Sequence, residues 1–312
     1  MVSTESKAWS AQSLIYVCGY LALWASALVL LRTHEAFEAS EALIALVLLG
    51  LIFPALALLV TRNVSALPYS VHQPRIECFF LVAYLVVIAW VLTSGFGAVS
   101  RITAEPLHLL VLLCVKLLLF VVVPAATISA LGRYRIGELM PISLTWRDLR
   151  PALWISLAAL LMQSVLGRGL HDIRAAHPPA WVLIVATPLS FVWMMLEVGV
   201  VEEFFFRVLL QERLAESLRS SWGGIVAAAL LFGLVHAPGF YLRPGGTLEA
   251  LGEHPTLAFA IGYSIVLTSL AGLFLGVLWM RTKNFAVIVI AHAATDLLPN
   301  LLPWSRAFHL LR

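Results

Sequence analysis

The sequence predicts an all-α membrane protein, a polytopic helical bundle of about eight to nine transmembrane helices, and three observations lead there. Of the 312 residues, 61% are hydrophobic and only 12% are charged, about half the charged share of a soluble domain. Several near-uncharged runs of about 20 residues are long enough to cross a bilayer as helices. The runs are built from Leu, Ala, Val and Ile without period-2 alternation, which argues against a barrel. The formal net charge of +3 is spread over many loops, so no nucleic-acid partner is expected.

The elements follow in order. A first span is expected over about Gln12 to Leu31, after an N-terminal stretch, MVSTESKAWS, that reads better as the approach to a retained helix than as a cleaved signal. An acidic linker with Glu35, Glu38 and Glu41 leads to a second span, about Ala42 to Val60, in which Pro54 is tolerated as a kink. The third covers about Cys78 to Thr93, and the fourth, about Leu107 to Ala130, carries Lys116 near its middle. A loop rich in arginine (Arg133, Arg135, Arg147, Arg150) precedes a short fifth span, Pro151 to Leu166. Pro178-Pro179 is the clearest break, and we divide the chain there into 1–178, five N-terminal spans, and 179–312, a C-terminal catalytic part.

The sixth span enters near Trp181, and its tail, Gln211 to Arg219, alternates charge and is expected at the surface. The seventh runs from about Trp222 to His236 and is halted by Pro238-Gly239; a Gly-rich loop, Phe240 to Pro255, follows. The eighth, about Leu257 to Met280, has Gly272 and Gly276 spaced for close helix approach. Arg281-Thr282-Lys283-Asn284 turns the chain into the ninth, about Phe285 to Leu302. Cys18, Cys78 and Cys114 fall within spans, lack metal-ligand spacing and read as packing residues. Lys and Arg favour the loops on the N-terminal side, so a multi-pass protein of a bacterial or archaeal-type plasma membrane with a cytoplasmic N-terminus is expected.

Ionisable residues at membrane depth cost on the order of 3 kcal/mol each and so mark function. Glu202 and Glu203 lie together in an apolar helix, His236 ends the seventh span, and His292 and Asp296 lie in the ninth. Counting about 1.5 Å per residue from the shared connectors, Glu202, His236 and His292 reach similar depths. His292 and Asp296 share one helix face at i and i+4, as do Glu203 and Arg207, so Arg207 can neutralise one carboxylate. A carboxylate beside a histidine can deprotonate water and return the proton to a leaving amine. A second histidine and an Asp can orient a carbonyl or stabilise its oxyanion. These residue types point to hydrolysis of an amide bond within the membrane boundary.

Glu-Glu-x-x-x-Arg at 202–207, Phe-x-x-x-His at 232–236 and His-x-x-x-Asp at 292–296, in this order, resemble the CPBP family of CAAX proteases and bacteriocin-processing enzymes, whose eukaryotic member is the Ras-converting CAAX endopeptidase. The resemblance covers about Leu189 to Leu302. It implies an intramembrane endopeptidase of glutamic type that cleaves near the C-terminus or membrane anchor of a membrane-associated protein or peptide. It implies that Glu202 with His236 activates water, that His292 and Asp296 complete the site and bind the oxyanion, and that Glu203 and Arg207 support it. Asp296 stands where many members have Asn. No cofactor is then required; if zinc were bound, Glu202, His236 and His292 would be its ligands, but no His-Glu-x-x-His spacing is present.

Two other classes compete. One is a non-proteolytic scaffold or bacteriocin-immunity-type protein on the same fold, which has no physical reason to keep buried charges. The other is a small-solute transporter, which needs polar residues on both sides of the midplane rather than at one depth. Lys116 reads as the partner of Glu197 within the bundle, and Phe232 as packing. His171, His177 and His254 read as solvated loop residues.

Overall fold

A computed structural model describes residues 11–33, 37–102, 104–242 and 255–311. The approach to the first helix, Glu35 and most of the 240–255 loop with His254 lie outside the described residues. Nine long helices make the fold: α1 Ala11–Leu31, α2 Ala39–Val60, α3 Pro74–Ile102, α4 Leu107–Gly132, α5 Trp146–Leu166, α6 Ala180–Leu218, α7 Ser221–Leu234, α8 Leu257–Thr282 and α9 Phe285–Ala307. Among the described residues there is no strand, and eight helices are long and apolar enough to cross a membrane. The protein is an all-α, integral, multi-pass bundle.

Helix starts follow local chemistry. The Thr145, Ser220, Thr256 and Asn284 side chains accept from backbone N–H groups two or three residues on, at 3.1–3.3 Å, which satisfies first-turn donors of α5, α7, α8 and α9. The cap at Thr145 makes the fifth span longer than its apolar run: α5 has 21 residues and starts at Trp146 rather than Pro151. Pro151 lies inside the helix, in its second turn, where it has no N–H to donate to the Arg147 carbonyl. At the far ends, Arg133, Arg219 and Lys283 take the left-handed conformation that closes α4, α6 and α8.

Several helices widen into π-type turns. One, Leu46–Ile52, precedes Pro54, and another, Leu118–Val122, precedes Pro124; the wider turn relieves the clash of the proline ring with the preceding carbonyls. In α6, Met195–Val200 and Phe204–Gln211 widen on either side of a single α-helical turn, Val201–Glu203. Such bulges concentrate at functional sites because they re-aim side chains and free carbonyls.

The main buried cluster joins both halves of the chain, from Phe53 and Leu81 through Phe204–Phe206 to Trp279 and Ile288. Helices α8 and α9 are the most enclosed, with 72% and 61% of their apolar windows buried, whereas α2 has 11%. The outer helices therefore present Leu and Val to lipid around a central pair. Cys18 and Cys114 are exposed on such outer faces rather than packed inside, which corrects their reading as packing residues; Cys78 is half-buried.

Helix approach is set by two glycines. A Cβ on Gly272 would stand 2.8 Å from the Ala229 Cα, so α8 lies backbone to backbone on α7. A Cβ on Gly199 would stand 2.9 Å from the Val289 carbonyl oxygen, which brings α6 equally close to α9.

The tail of α6 emerges at the surface only in its last part, where Glu216 and Arg219 are exposed; its first part does not, contrary to what the alternating charges suggested. Gln211, Glu212 and Arg213 are buried. Arg213 forms a 2.8 Å ion pair with Glu77 of α3, both fully buried, and donates to the Tyr69 hydroxyl at 2.7 Å. Tyr134 donates to the Glu77 carboxylate at 3.1 Å, and Glu212 accepts from Trp279 at 2.7 Å and pairs with Lys283. Burial pushes the Tyr69 phenol up to about 12 despite the opposing charge of Arg213.

Candidate active site

The α6–α9 crossing positions the candidate residues. A helical side chain leans toward its own N-terminus. Helices α6 and α9, with α7 and α8 between them in the chain, run antiparallel, as the Trp193–Phe308 and Phe204–Phe285 ring contacts show, so Glu203, one turn past Gly199, leans back toward the crossing. His292, three residues past Val289, leans back toward it from the other side. They meet there: His292 Nδ1–H donates to Glu203 Oε1 at 2.8 Å. The other Glu203 oxygen pairs with Arg207 Nε at 3.1 Å, off the line of a straight hydrogen bond. The side chains of Glu203 and Arg207 are fully buried.

Arg207 has no hydrogen-bond partner for its terminal nitrogens among the described residues. Its guanidinium lies 4.8 Å over the Phe232 ring, a contact that stabilises a desolvated cation. Phe232 also packs on Phe206, His236 and His292, with centroids 5.2, 5.1 and 6.2 Å apart. Its reading as packing holds, and what it packs is the set of charged and histidine side chains.

Glu202 differs from its neighbour. Its side chain is 18% exposed, and Oε2 stands 3.9 Å from His292 Nε2. Asp296 Oδ2 is also 3.9 Å from His292 Nε2, with its side chain 34% exposed. Neither separation is a direct hydrogen bond. Thr295 Oγ1 lies 2.7 Å from the His292 carbonyl and 3.0 Å from Asp296 Oδ1, and Gln163 of α5 donates to the Thr295 carbonyl at 3.1 Å.

His236 is half-buried just past the end of α7, and its Nδ1 is 2.7 Å from the Phe232 carbonyl. A carbonyl only accepts, so Nδ1 carries the proton and Nε2 of the neutral ring is a base. The Glu203 contact fixes His292 in the same way. Both histidines thus present Nε2, and His236, His292 and Asp296 all lie within electrostatic reach of Glu202. Lys116 lies within the same reach and pairs with Glu197 at 2.8 Å, whose second oxygen accepts from Trp193 at 2.5 Å.

The structure thus brings together Glu202, Glu203, Arg207, His292 and Asp296, with His236 at the rim. Trp193, Gln163 and Thr295 were not singled out in the sequence. Trp193 and Thr295 lie one helical turn from Glu197 and His292, which spacing alone does not separate from ordinary packing, and Gln163 reaches Thr295 across 132 residues of chain, which spacing does not show. Among the described residues no group of three or more His, Cys, Asp or Glu is arranged to hold a metal ion. Tetrahedral zinc ligands at about 2.0–2.1 Å stand about 3.3 Å apart, closer than the 3.9 Å between His292 and Glu202.

A carboxylate–histidine cluster thus lies at the meeting of apolar helices. Residues 184–298, which hold every residue of that cluster, match the family model described as Type II CAAX prenyl endopeptidase Rce1-like. No curated protein and no solved structure matches the chain. At the family level the match supports a membrane endopeptidase acting on a membrane-associated substrate.

Proposed function

We propose that the protein is a glutamic-type intramembrane endopeptidase that hydrolyses a peptide bond near the C-terminus or membrane anchor of a membrane-associated protein or peptide. The reading rests on one observation above others. Glu203 is held between His292 and Arg207, at 2.8 and 3.1 Å, whereas Glu202 beside it is left partly open and 3.9 Å from His292 Nε2. A carboxylate already shared between two cationic partners is a poor base. One that lies beside a histidine without being tied into a hydrogen bond is a better one.

In this mechanism Glu202, with His236 Nε2, takes a proton from water as the oxygen attacks the scissile carbonyl. His292, held by Glu203, and Asp296 face the developing oxyanion and the carbonyl it comes from, and His292 in its protonated form supplies the positive charge. The proton then passes to the leaving amine as the tetrahedral intermediate collapses and the C–N bond breaks, leaving a carboxylate on the other product. Glu203 and Arg207 orient His292 and touch no reacting atom. No metal is required in this scheme.

The test is cleavage of a membrane-anchored reporter in proteoliposomes by wild type, Glu202→Ala and His236→Ala, with insertion and monodispersity checked for each. Both variants are expected to insert normally and to lose cleavage; retained proteolysis in either would end the proposal. Exhaustive chelation is expected to leave wild-type activity in place. Loss restored only by zinc would overturn the metal-free scheme while leaving the protease assignment intact.

A further inference from the structure

Away from the α6–α9 crossing, a cleft of about 750 Å³ lies between α2 and the start of α5. Its walls include Leu59, Trp154, Leu157 and Leu161, which are 58%, 52%, 49% and 66% exposed, and Arg62 and Arg150 stand at one end. Among the described residues neither arginine has an ion pair or a side-chain hydrogen bond. The nearby acid is spoken for: Asp148 accepts from Ser143 and from Thr145, the latter at 2.7 Å. Arg147 donates to the Asn63 carbonyl at 3.0 Å, pinning this end of α5 to the loop after α2.

We propose that this cleft binds an anionic phospholipid, its phosphate between Arg62 and Arg150 and an acyl chain along Leu59, Trp154, Leu157 and Leu161. The argument is charge complementarity joined to a one-ended apolar wall. Two unpaired guanidinium groups at a membrane boundary favour a phosphate, which each can grip through two parallel N–H···O bonds. Exposed leucines and an indole running from that point into the bilayer favour a hydrocarbon chain and do nothing for a soluble anion. Basic pockets between transmembrane helices read as headgroup sites for the same reason. The cleft shares no residue with the candidate active site. Arg150, at the charged end of the cleft, lies about 20 Å along α5 from Gln163 at 1.5 Å per residue, while Leu161 at the apolar end is two residues from Gln163.

The test is native mass spectrometry of the full chain released from detergent after exposure to equal amounts of phosphatidylglycerol and phosphatidylcholine with matched chains. Wild type is expected to retain phosphatidylglycerol in preference by roughly tenfold, each arginine contributing several-fold. Arg62→Gln with Arg150→Gln is expected to bring the ratio near one, whereas Arg133→Gln with Arg135→Gln leaves the preference in place. Equal retention of the two lipids by wild type, or an unchanged ratio in the Arg62/Arg150 variant, overturns the proposal. If that variant does not fold, Leu157→Trp fills the exposed cleft without touching either charge. It is expected to reduce retention of phosphatidylglycerol, and undiminished retention overturns the proposal equally.

Discussion

Two buried polar clusters sit in α6 between two and three turns apart, and they are built to opposite ends. The Glu77–Arg213 cluster is closed. Its ion pair is 2.8 Å, both side chains are fully buried, and Tyr69 and Tyr134 fill further valences of the pair. The cluster at Glu202, Glu203 and His292 is left open. One carboxylate is tied down, its neighbour is not, and Asp296 is partly exposed beside them. A buried charge that only holds helices together needs every partner supplied, because an unpaired one costs several kcal/mol. A charge that is to take a proton needs one position left for the reactant. The contrast matters for the transporter alternative, which was set aside because polar groups sat at one depth. They occupy two depths, but the second set pairs within itself through Glu77, Arg213, Tyr69 and Tyr134, with one terminal nitrogen of Arg213 left without a hydrogen-bond partner among the described residues.

The largest effect should separate the clusters outright. Glu202→Gln keeps the volume and removes the base, and loss of a general base costs about 10²–10⁴ in rate. Cleavage of the reporter is expected to fall by about that factor while the thermal midpoint of the purified protein hardly moves. A large fall in stability would place Glu202 with the structural charges instead.

Glu77→Gln should do the reverse. It leaves Arg213 buried without its counter-charge, which costs about 3–5 kcal/mol. Denaturant or thermal unfolding in micelles should show that loss, with cleavage per folded molecule close to wild type. If activity vanishes while stability holds, the closed cluster has a catalytic part and the comparison fails.

The two clusters were also unequally legible. Glu202, Glu203, Arg207, His292 and Asp296 announce themselves because they are charges inside apolar runs at i, i+4 spacing, and spacing within one helix survives folding unchanged. The nine long helices were legible for a similar reason, since apolar length is a local property. What connects helices is not local. Glu77 lies 136 residues from Arg213 in the chain, and Tyr69 and Tyr134 lie in loops. The alternating charges of Gln211–Arg219 therefore looked like a solvated tail. A sharper reading would have asked which acid near a span boundary matches Arg213 in depth, and Glu77, at the start of α3, does. Spacing also could not say which glutamate touches His292. The lean of side chains toward the helix N-terminus at an antiparallel crossing selects Glu203.

Tyr134→Phe probes the closed cluster more gently. It removes the hydroxyl that donates to Glu77 at 3.1 Å and accepts the His72 N–H at 2.5 Å. The expected cost is about 1–2 kcal/mol, a lost hydrogen bond with a donor left unpaired. Cleavage should be unaffected, and a specific fall in rate with unchanged stability would contradict the structural assignment.

The smallest effect concerns the pair that borders both classes. Lys116 and Glu197 meet at 2.8 Å with 21% of each side chain exposed, within electrostatic reach of Glu202. Solvent screening limits such a pair to about 1 kcal/mol or less. A double-mutant cycle of Lys116→Met and Glu197→Gln should therefore give a coupling energy in stability of that size. The double variant, which removes both charges and leaves the net charge beside Glu202 unchanged, should cleave at nearly the wild-type rate with the same pH profile. Lys116→Met alone removes one cation and leaves Glu197 unpaired, so any shift of its pH profile should vanish when Glu197→Gln is added. A shift that persists in the double variant would mean that Lys116 acts on the reaction itself, and the open cluster would then extend to α4.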